Sequence, residues 1–333
     1  MLTLLSFILA VFPIVILHEF GHFLVGKYLG AEPEEFSVGF GRQIFGFQWM
    51  GANFKIGWIP LGGYVKFKKV QFDVEFGEGE KQGEKIAPWK WFFISVAGPV
   101  TNMILTFAIF FGFMVAALGT LNGGLITKSE FTGAPVGSKV VQLNSTGILA
   151  GMVKKTLLGI TNPTKSQLFI VNSDGNMQAL ELGPGDEARI EIAPKPVMSL
   201  GERLTKSSEI AVALMGQYFK GTTDAIINLT SLKGARDIMG PIGIAGEAEK
   251  ARNEGAISFI FLIASLSFAI GYFNLLPLSF FDGGRALLAV VEQVTRKNIS
   301  MKVLGYLNTV GLVIVIGLLL TGTTSDIFKL LGK

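Results

Sequence analysis

The alternation of apolar and polar positions divides the chain into four long hydrophobic runs separated by three polar segments. Leu2–Tyr28, Trp91–Leu125, Ala256–Phe281 and Val303–Thr324 each reach the roughly 20 residues that a helix needs to cross a bilayer. The last three contain no charged residue. After the first run the helical period gives way to short alternations. Phe36–Phe67 is rich in Gly and aromatics, with Phe54, Ile56, Trp58 and Tyr64 marking apolar positions. This stretch predicts two consecutive β-hairpins, the second turning at Leu61-Gly62-Gly63. Phe76–Lys85 (FGEGEKQGEK) reads as a mixed-charge linker.

Between Asn122 and Pro196 the pieces SKVVQL, SQLFIV and ARIEIA are separated by Gly, Asn, Pro and Asp, the pattern of a small β-rich domain. Residues 200–236 then show amphipathic helical patterns, including Glu209–Phe219. Such helices suit either the membrane surface or a seat on the β domain.

The predicted fold is a polytopic α-helical membrane protein with four transmembrane helices, a membrane-associated β-hairpin region and one extracytoplasmic β-rich domain. The expected segments are a first helix over 1–28, a cytoplasmic-side hairpin loop over 29–90 and a second helix over 91–121. An outer β domain over 122–197 and an outer helical segment over 198–255 follow. A third helix over 256–282, a cytoplasmic loop or helix over 283–302, and a fourth helix with its tail over 303–333 complete the chain.

Composition supports this class: half the residues are hydrophobic and only 16% are charged, and the mean hydropathy is +0.50. The first run has no basic residues before it and carries His-Glu within it, so it reads as a retained helix rather than a cleaved signal peptide. A net charge of +4, without a Lys/Arg stripe, argues against nucleic acid as a partner. With no cysteine, disulfides and thiolate metal ligands are excluded.

Residues 29–90 hold eight Lys/Arg and residues 283–302 hold four. The positive-inside rule therefore places both loops in the cytoplasm and both termini outside. The 14 basic residues of 126–255 do not oppose this, because long domains cross largely regardless of charge. The expected location is the cell membrane, inner or plasma, with membrane lipid as the surroundings.

The chemistry lies in the first run. His18-Glu19-x-x-His22 puts the chain's only two histidines one helical turn apart, able to grip one ion, with Glu19 placed to act on water activated by it. The competing readings are interhelical hydrogen bonding or a proton path. Polar groups at bilayer depth are costly unless satisfied, and one divalent ion would satisfy all three. A catalytic zinc takes three protein ligands, so with no third His and no Cys the remaining ligand is expected to be a carboxylate. Asp282, at the cytoplasmic end of the third run, is the best candidate. Its plain structural alternative is an N-cap for the helix that follows. Asn274 and Pro277 lie inside the same run; the proline should kink or unwind the helix before Asp282 and free Asn274 to hold a substrate backbone.

These residues resemble the site-2 proteases, intramembrane zinc metalloproteases. The resemblance rests on His18-Glu19-x-x-His22 in the first run and Asn274-x-x-Pro277-x4-Asp282-Gly283 in the third. GGYVKF (Gly62–Phe67), AGPVTN (Ala97–Asn102) and MGPIGI (Met239–Ile244) are similar to secondary family motifs. One departure is Phe281, where the family usually has Leu. The resemblance implies one Zn2+ per chain held by His18, His22 and Asp282, with Glu19 as the catalytic base. It implies a PDZ-like outer domain, to which GILAGMVKKTLLGITN and LGPGDEARIEI are similar. Its implied substrates are single-span membrane proteins, such as anti-sigma factors or signal-peptide remnants, cut in or beside the span. Asn274 and Pro277, with an edge strand from Lys55 to Phe67 that includes Gly62, Gly63 and Tyr64, would hold the unwound substrate. The alternative function is a divalent-metal transporter or a metal-dependent scaffold, neither of which needs Glu19 as a base.

Overall fold

The computed structural model describes residues 2–70, 84–120, 122–129, 139–142, 167–171, 177–181, 190–194, 199–228 and 239–330. The expected linker over 76–85 lies almost wholly outside them, and GILAGMVKKTLLGITN lies wholly outside. Two compact units divide the chain: Met1–Ala108 with Met215–Glu254 and Phe259–Lys333, and Ile109–Leu214 with Gly255–Ser258.

Four helices in the described residues are long and apolar enough to cross a membrane. Helix α1 (Leu2–Tyr28) buries Ser6, Ala10, Ile14, His18, His22 and Gly26, a stripe with a period of four. Its other faces are equally apolar, as a lipid-bathed helix requires. Helix α2 (Pro88–Thr120) begins three residues earlier than the apolar run because Trp89 and Lys90 extend it at the interface. Gly21 of α1 meets α2 closely: a Cβ there would lie 2.7 Å from the Ala97 carbonyl oxygen. Small residues permit this backbone approach.

Before α2, the chain from Pro33 to Phe67 forms one long hairpin, β1 (Pro33–Trp49) and β2 (Ala52–Phe67), turning at Met50-Gly51. This corrects the two consecutive hairpins expected from the sequence. Glu35–Val38 is paired on both sides, to Gly63–Lys66 and to Asn53–Ile56, while Gln43–Trp49 pairs with Ala52–Gly57. The hairpin is thus folded over at Gly39 and Gly41 (φ +86° and +84°) and at Gly62 (φ +78°), conformations that favour glycine. The Gly62 reversal was legible; its partner strand was not, because Gly63–Phe67 pairs with β1 and not with the preceding part of β2, and Lys55–Ile56, expected on the edge, is instead paired on both sides, to Ser37–Val38 and to Phe45–Gly46. Phe36, Val38 and Phe54 form one apolar face, closed by Phe12, Phe20, Phe23 and Val65. Short strands β3 (Lys69–Val70) and β4 (Glu84–Lys85) follow.

The second unit contains β5 (Asn122–Ser129), β6 (Lys139–Gln142), β7 (Gln167–Val171), β8 (Met177–Glu181) and β9 (Ile190–Pro194), in one antiparallel sheet of order β8-β7-β6-β5-β9. A β-rich domain was expected here. Helix α3 (Leu200–Asn228) begins with Ser199 and Glu202 in reciprocal capping hydrogen bonds.

Helix α4 (Pro241–Glu254) packs on α1 through Arg252 to Ser6 (2.8 Å). Its N-terminus is held by Asp326 of α7 (Met301–Leu330), which accepts from the Gly243 N–H at 2.7 Å. Helix α5 (Ala256–Asn274) is tied to α2 by Thr106 to the Ala264 carbonyl and Ser267 to the Asn102 carbonyl, each 3.0 Å. Helix α6 (Asp282–Thr295) has a polar and an apolar side, and its last turn is closed by Glu292, which accepts from the Ile299 N–H at 2.9 Å.

The third span ends at Asn274, not at Phe281 or Asp282 as expected. Pro277 cannot donate to a helical ladder and disfavours helix in the residue before it, and the chain leaves the helix three residues ahead of it, seven before Phe281. A looped Leu275–Phe281 follows, with Leu276, Leu278 and Phe281 N–H groups bonded to Phe273, Leu276 and Leu278 carbonyls.

Candidate metal centre

Asp282 opens α6 rather than closing a span. The N-cap position belongs to Phe281, whose side chain makes no cap hydrogen bond. The capping alternative for Asp282 is therefore not realised, and its carboxylate points elsewhere. Gly283 and Gly284 make this possible: a Cβ on either would collide with the Leu275 or Leu278 carbonyl, so only glycine lets the loop fold back over the first turn of α6.

Three side chains converge. Asp282 Oδ2 lies 3.1 Å from His18 Nε2 and 3.3 Å from His22 Nε2, and the two Nε2 atoms are 3.3 Å apart. Both histidines are buried. Ligands about 2.0–2.1 Å from a tetrahedral zinc stand about 3.3 Å from one another, so this triangle has the edge lengths that the ion requires. The donors fit as well. His22 Nδ1 lies 2.7 Å from the Ile94 carbonyl oxygen, an acceptor, so Nδ1 carries the proton and Nε2 presents its lone pair to the centre. The His22 lone pair and the Asp282 carboxylate oxygen face each other at 3.3 Å, two electron-rich atoms that a cation between them would satisfy. Among the described residues, these three form the one group of His, Asp and Glu side chains with such geometry.

Glu19 follows His18 on α1, and its charge lies within electrostatic reach of His18, His22, Asp282 and Arg285. The hairpin passes directly over it: a Cβ at Gly63 would sit 2.8 Å from Glu19 Cγ and 3.1 Å from Val15 Cγ1. Gly63 thus keeps the sheet from filling the space in front of the carboxylate. Gly62 supplies the bend beside it. Tyr64 turns to the opposite face of the sheet, where its hydroxyl bonds to Glu35. Asn274 ends α5 and donates its amide to the Ile270 carbonyl at 3.0 Å. Pro277 stands in the loop between Asn274 and Asp282.

Gly98 was missed as a site residue. It lies one turn beyond Ile94 on α2, and a Cβ there would run into His22 Nε2 and stand 2.7 Å from His18 Nε2. The signal was present in AGPVTN, a glycine amid an apolar helix, but only packing shows that it faces the histidines.

The profile of peptidase family M50 matches residues 6–318. Among similar proteins, one from Rickettsia conorii is 30% identical over 364 residues, covering 99% of each chain. One from Campylobacter jejuni is 27% identical over 99% of this chain and 94% of its own. One from Clostridium acetobutylicum is 24% identical over 96% of each. All three bear names that place them among the zinc metalloproteases.

Proposed function

The chain belongs to peptidase family M50, the site-2 type of membrane zinc metalloprotease, and from that premise we propose that His18, His22 and Asp282 hold the zinc, that Glu19 is the base, and that the substrates are single-span membrane proteins cut in or beside the span. The observation that carries the residue assignment is the 3.1–3.3 Å triangle of Nε2, Nε2 and Oδ2 beside Glu19.

Zinc, when bound, supplies Lewis acidity that polarises the scissile carbonyl and makes water more acidic. Glu19 takes the proton of the attacking water and passes it to the departing amine. His22, held by the Ile94 carbonyl, and His18 keep their Nε2 atoms aimed at one point. A helical substrate hides its peptide bonds and must be unwound. Among the described residues, no strand pairs with the outer edge of Gly63–Val65, and an extended peptide would join the sheet there. Strand addition there would offset the hydrogen bonds lost on unwinding. Asn274 and Pro277 shape the loop that returns to Asp282, and Asn274, whose amide donates to the Ile270 carbonyl, would bond the same segment through its side-chain oxygen.

The orientation that suits this reading has both termini outside and the metal centre toward the cytoplasm, where the basic loops lie. The antiparallel sheet of the second unit would then be an extracytoplasmic, PDZ-like filter of substrates.

The test is the purified protein with zinc measured beside cleavage of a single-span substrate. Glu19→Gln should keep one zinc per chain and lose cleavage. A Glu19→Gln protein that still cleaves would overturn the assignment, whereas loss of zinc would make Glu19 a ligand instead of a base. A transporter or scaffold would keep its activity in that variant.

A further inference from the structure

The folded hairpin is poorly suited to fixing its own register. Six of its 33 strand residues are glycine (39, 41, 46, 57, 62 and 63), and glycine-rich strands specify alignment weakly. Yet alignment matters here more than elsewhere. A slip by one residue would bring Tyr64 or Gly62 over Glu19, and a slip by two would bring Val65 or Leu61. Any of these except Gly62 carries a side chain into a place where even a Cβ comes within 2.8 Å of Glu19.

On the face turned away from α1, three side chains from three segments meet. Lys55 and Tyr64 flank Ser37 on either side, and Glu35 lies two residues before it on the same face. Glu35 Oε1 accepts from Lys55 Nζ at 2.8 Å and also from the Tyr64 hydroxyl. Lys55 Nζ stands 5.2 Å over the Tyr64 ring. The Lys55 and Glu35 side chains are only 13% and 24% exposed. Ser37 is fully buried, its hydroxyl bonded to the Gly39 carbonyl at 2.8 Å. Tyr64 touches both members of the ion pair, its hydroxyl on Glu35 and its ring under Lys55, so a slip of its strand against Glu35–Val38 takes the hydrogen bond and the ring away from a partly buried pair.

We propose that Glu35, Lys55 and Tyr64 form a register pin, which holds the edge Gly63–Val65 in the alignment that leaves Glu19 uncovered and offers that edge to substrate. The proposal rests on reading this edge as the substrate-pairing strand. None of the three is a catalytic residue; they act through the position of Gly63. Without the pin, a fraction of molecules occupies slipped alignments that cannot take substrate. Apparent affinity falls by that fraction, while saturating substrate restores the competent state.

The experiment uses the full chain in detergent, a single-span substrate and three readouts: KM, kcat and zinc per chain. Lys55→Met should raise KM about tenfold, the scale of one hydrogen bond to a charged group, with kcat within about twofold and zinc still at one per chain. Lys55→Arg, which keeps the charged bond, should restore KM. An unchanged KM in Lys55→Met overturns the pin, as does a fall in kcat with loss of zinc, which would make the cluster a support of the fold alone.

A cross-link separates this from the reading beneath it. The chain lacks cysteine, so Lys66→Cys can be paired with single cysteines scanned along the substrate. Disulfides at every second substrate position are expected. Their absence in the otherwise unaltered chain refutes strand pairing itself. An alternating pattern that stays equally sharp after Lys55→Met refutes the pin and leaves strand pairing standing.

Discussion

Gly98→Ala should remove the metal while adding a single methyl group. The new Cβ would stand 2.7 Å from His18 Nε2 and closer still to His22 Nε2, whereas ordinary van der Waals contacts of a Cβ begin at about 3.4 Å. His18 would have to recede by about 0.7 Å and His22 by more, or α2 would have to withdraw by more than about 0.7 Å. Zinc sites tolerate errors of about 0.2 Å in ligand distance, so neither adjustment preserves the triangle. Withdrawal of α2 would also pull the Ile94 carbonyl from His22 Nδ1, and loss of such outer contacts alone costs about 10–100-fold in metal affinity. The assay is metal content by mass spectrometry after dialysis against a graded zinc buffer, with Gly112→Ala as the control. Gly112 lies on the same helix with nothing within 4 Å of its added methyl. Wild type and the Gly112 variant should retain zinc where the Gly98 variant has lost it. Equal zinc retention in all three would mean that α2 does not press on the histidines.

Gly63→Ala should behave differently. Its methyl meets Glu19 Cγ and the Ser37 carbonyl rather than the metal ligands, so turnover should fall by at least about tenfold while zinc stays at one per chain. Simultaneous loss of zinc would place the hairpin among the supports of the metal site. Acid should weaken the hairpin through Glu35. Burial pushes its carboxyl up, but the hydrogen bonds from Lys55 and Tyr64 and the charges of Lys55 and Lys66 outweigh it and hold the group below its ordinary value of 4.5. A folded value below the unfolded one gives stability that is present above about pH 4.5 and is lost as pH falls through the folded value. The melting-temperature difference between wild type and Glu35→Gln should therefore shrink on acidification, and a difference that stays constant from pH 7 to pH 4 would contradict this.

The membrane helices were legible because length and hydropathy alone define them, and His18 and His22 were legible because two histidines one turn apart at bilayer depth have few bland explanations. Asp282 was found by elimination among carboxylates, but its setting was misread. An apolar run continues through Leu275–Phe281 without any change of composition, so hydropathy could not show that the helix stops at Asn274 and restarts at Asp282. Gly283 and Gly284 carried that information, since adjacent glycines beside a proline-bearing stretch mark a tight return. The hairpin was half-legible. Gly62 announces a reversal, but which strands lie side by side is set by Phe36 and Phe54 packing under Phe23 and by the Glu35–Lys55 pair, contacts between residues far apart in the chain. Gly98 could not be singled out by spacing, because its role arises from the crossing of α1 and α2.

The central claim is that His18, His22 and Asp282 together hold one zinc. The most direct test is zinc K-edge X-ray absorption on the purified, metal-replete chain. The account predicts one zinc per chain with two imidazole nitrogens and at least one oxygen, all at about 2.0–2.2 Å, and loss of tight binding in Asp282→Ala. A bound zinc without imidazole scattering, or one whose affinity and spectrum are unchanged in Asp282→Ala, would contradict it.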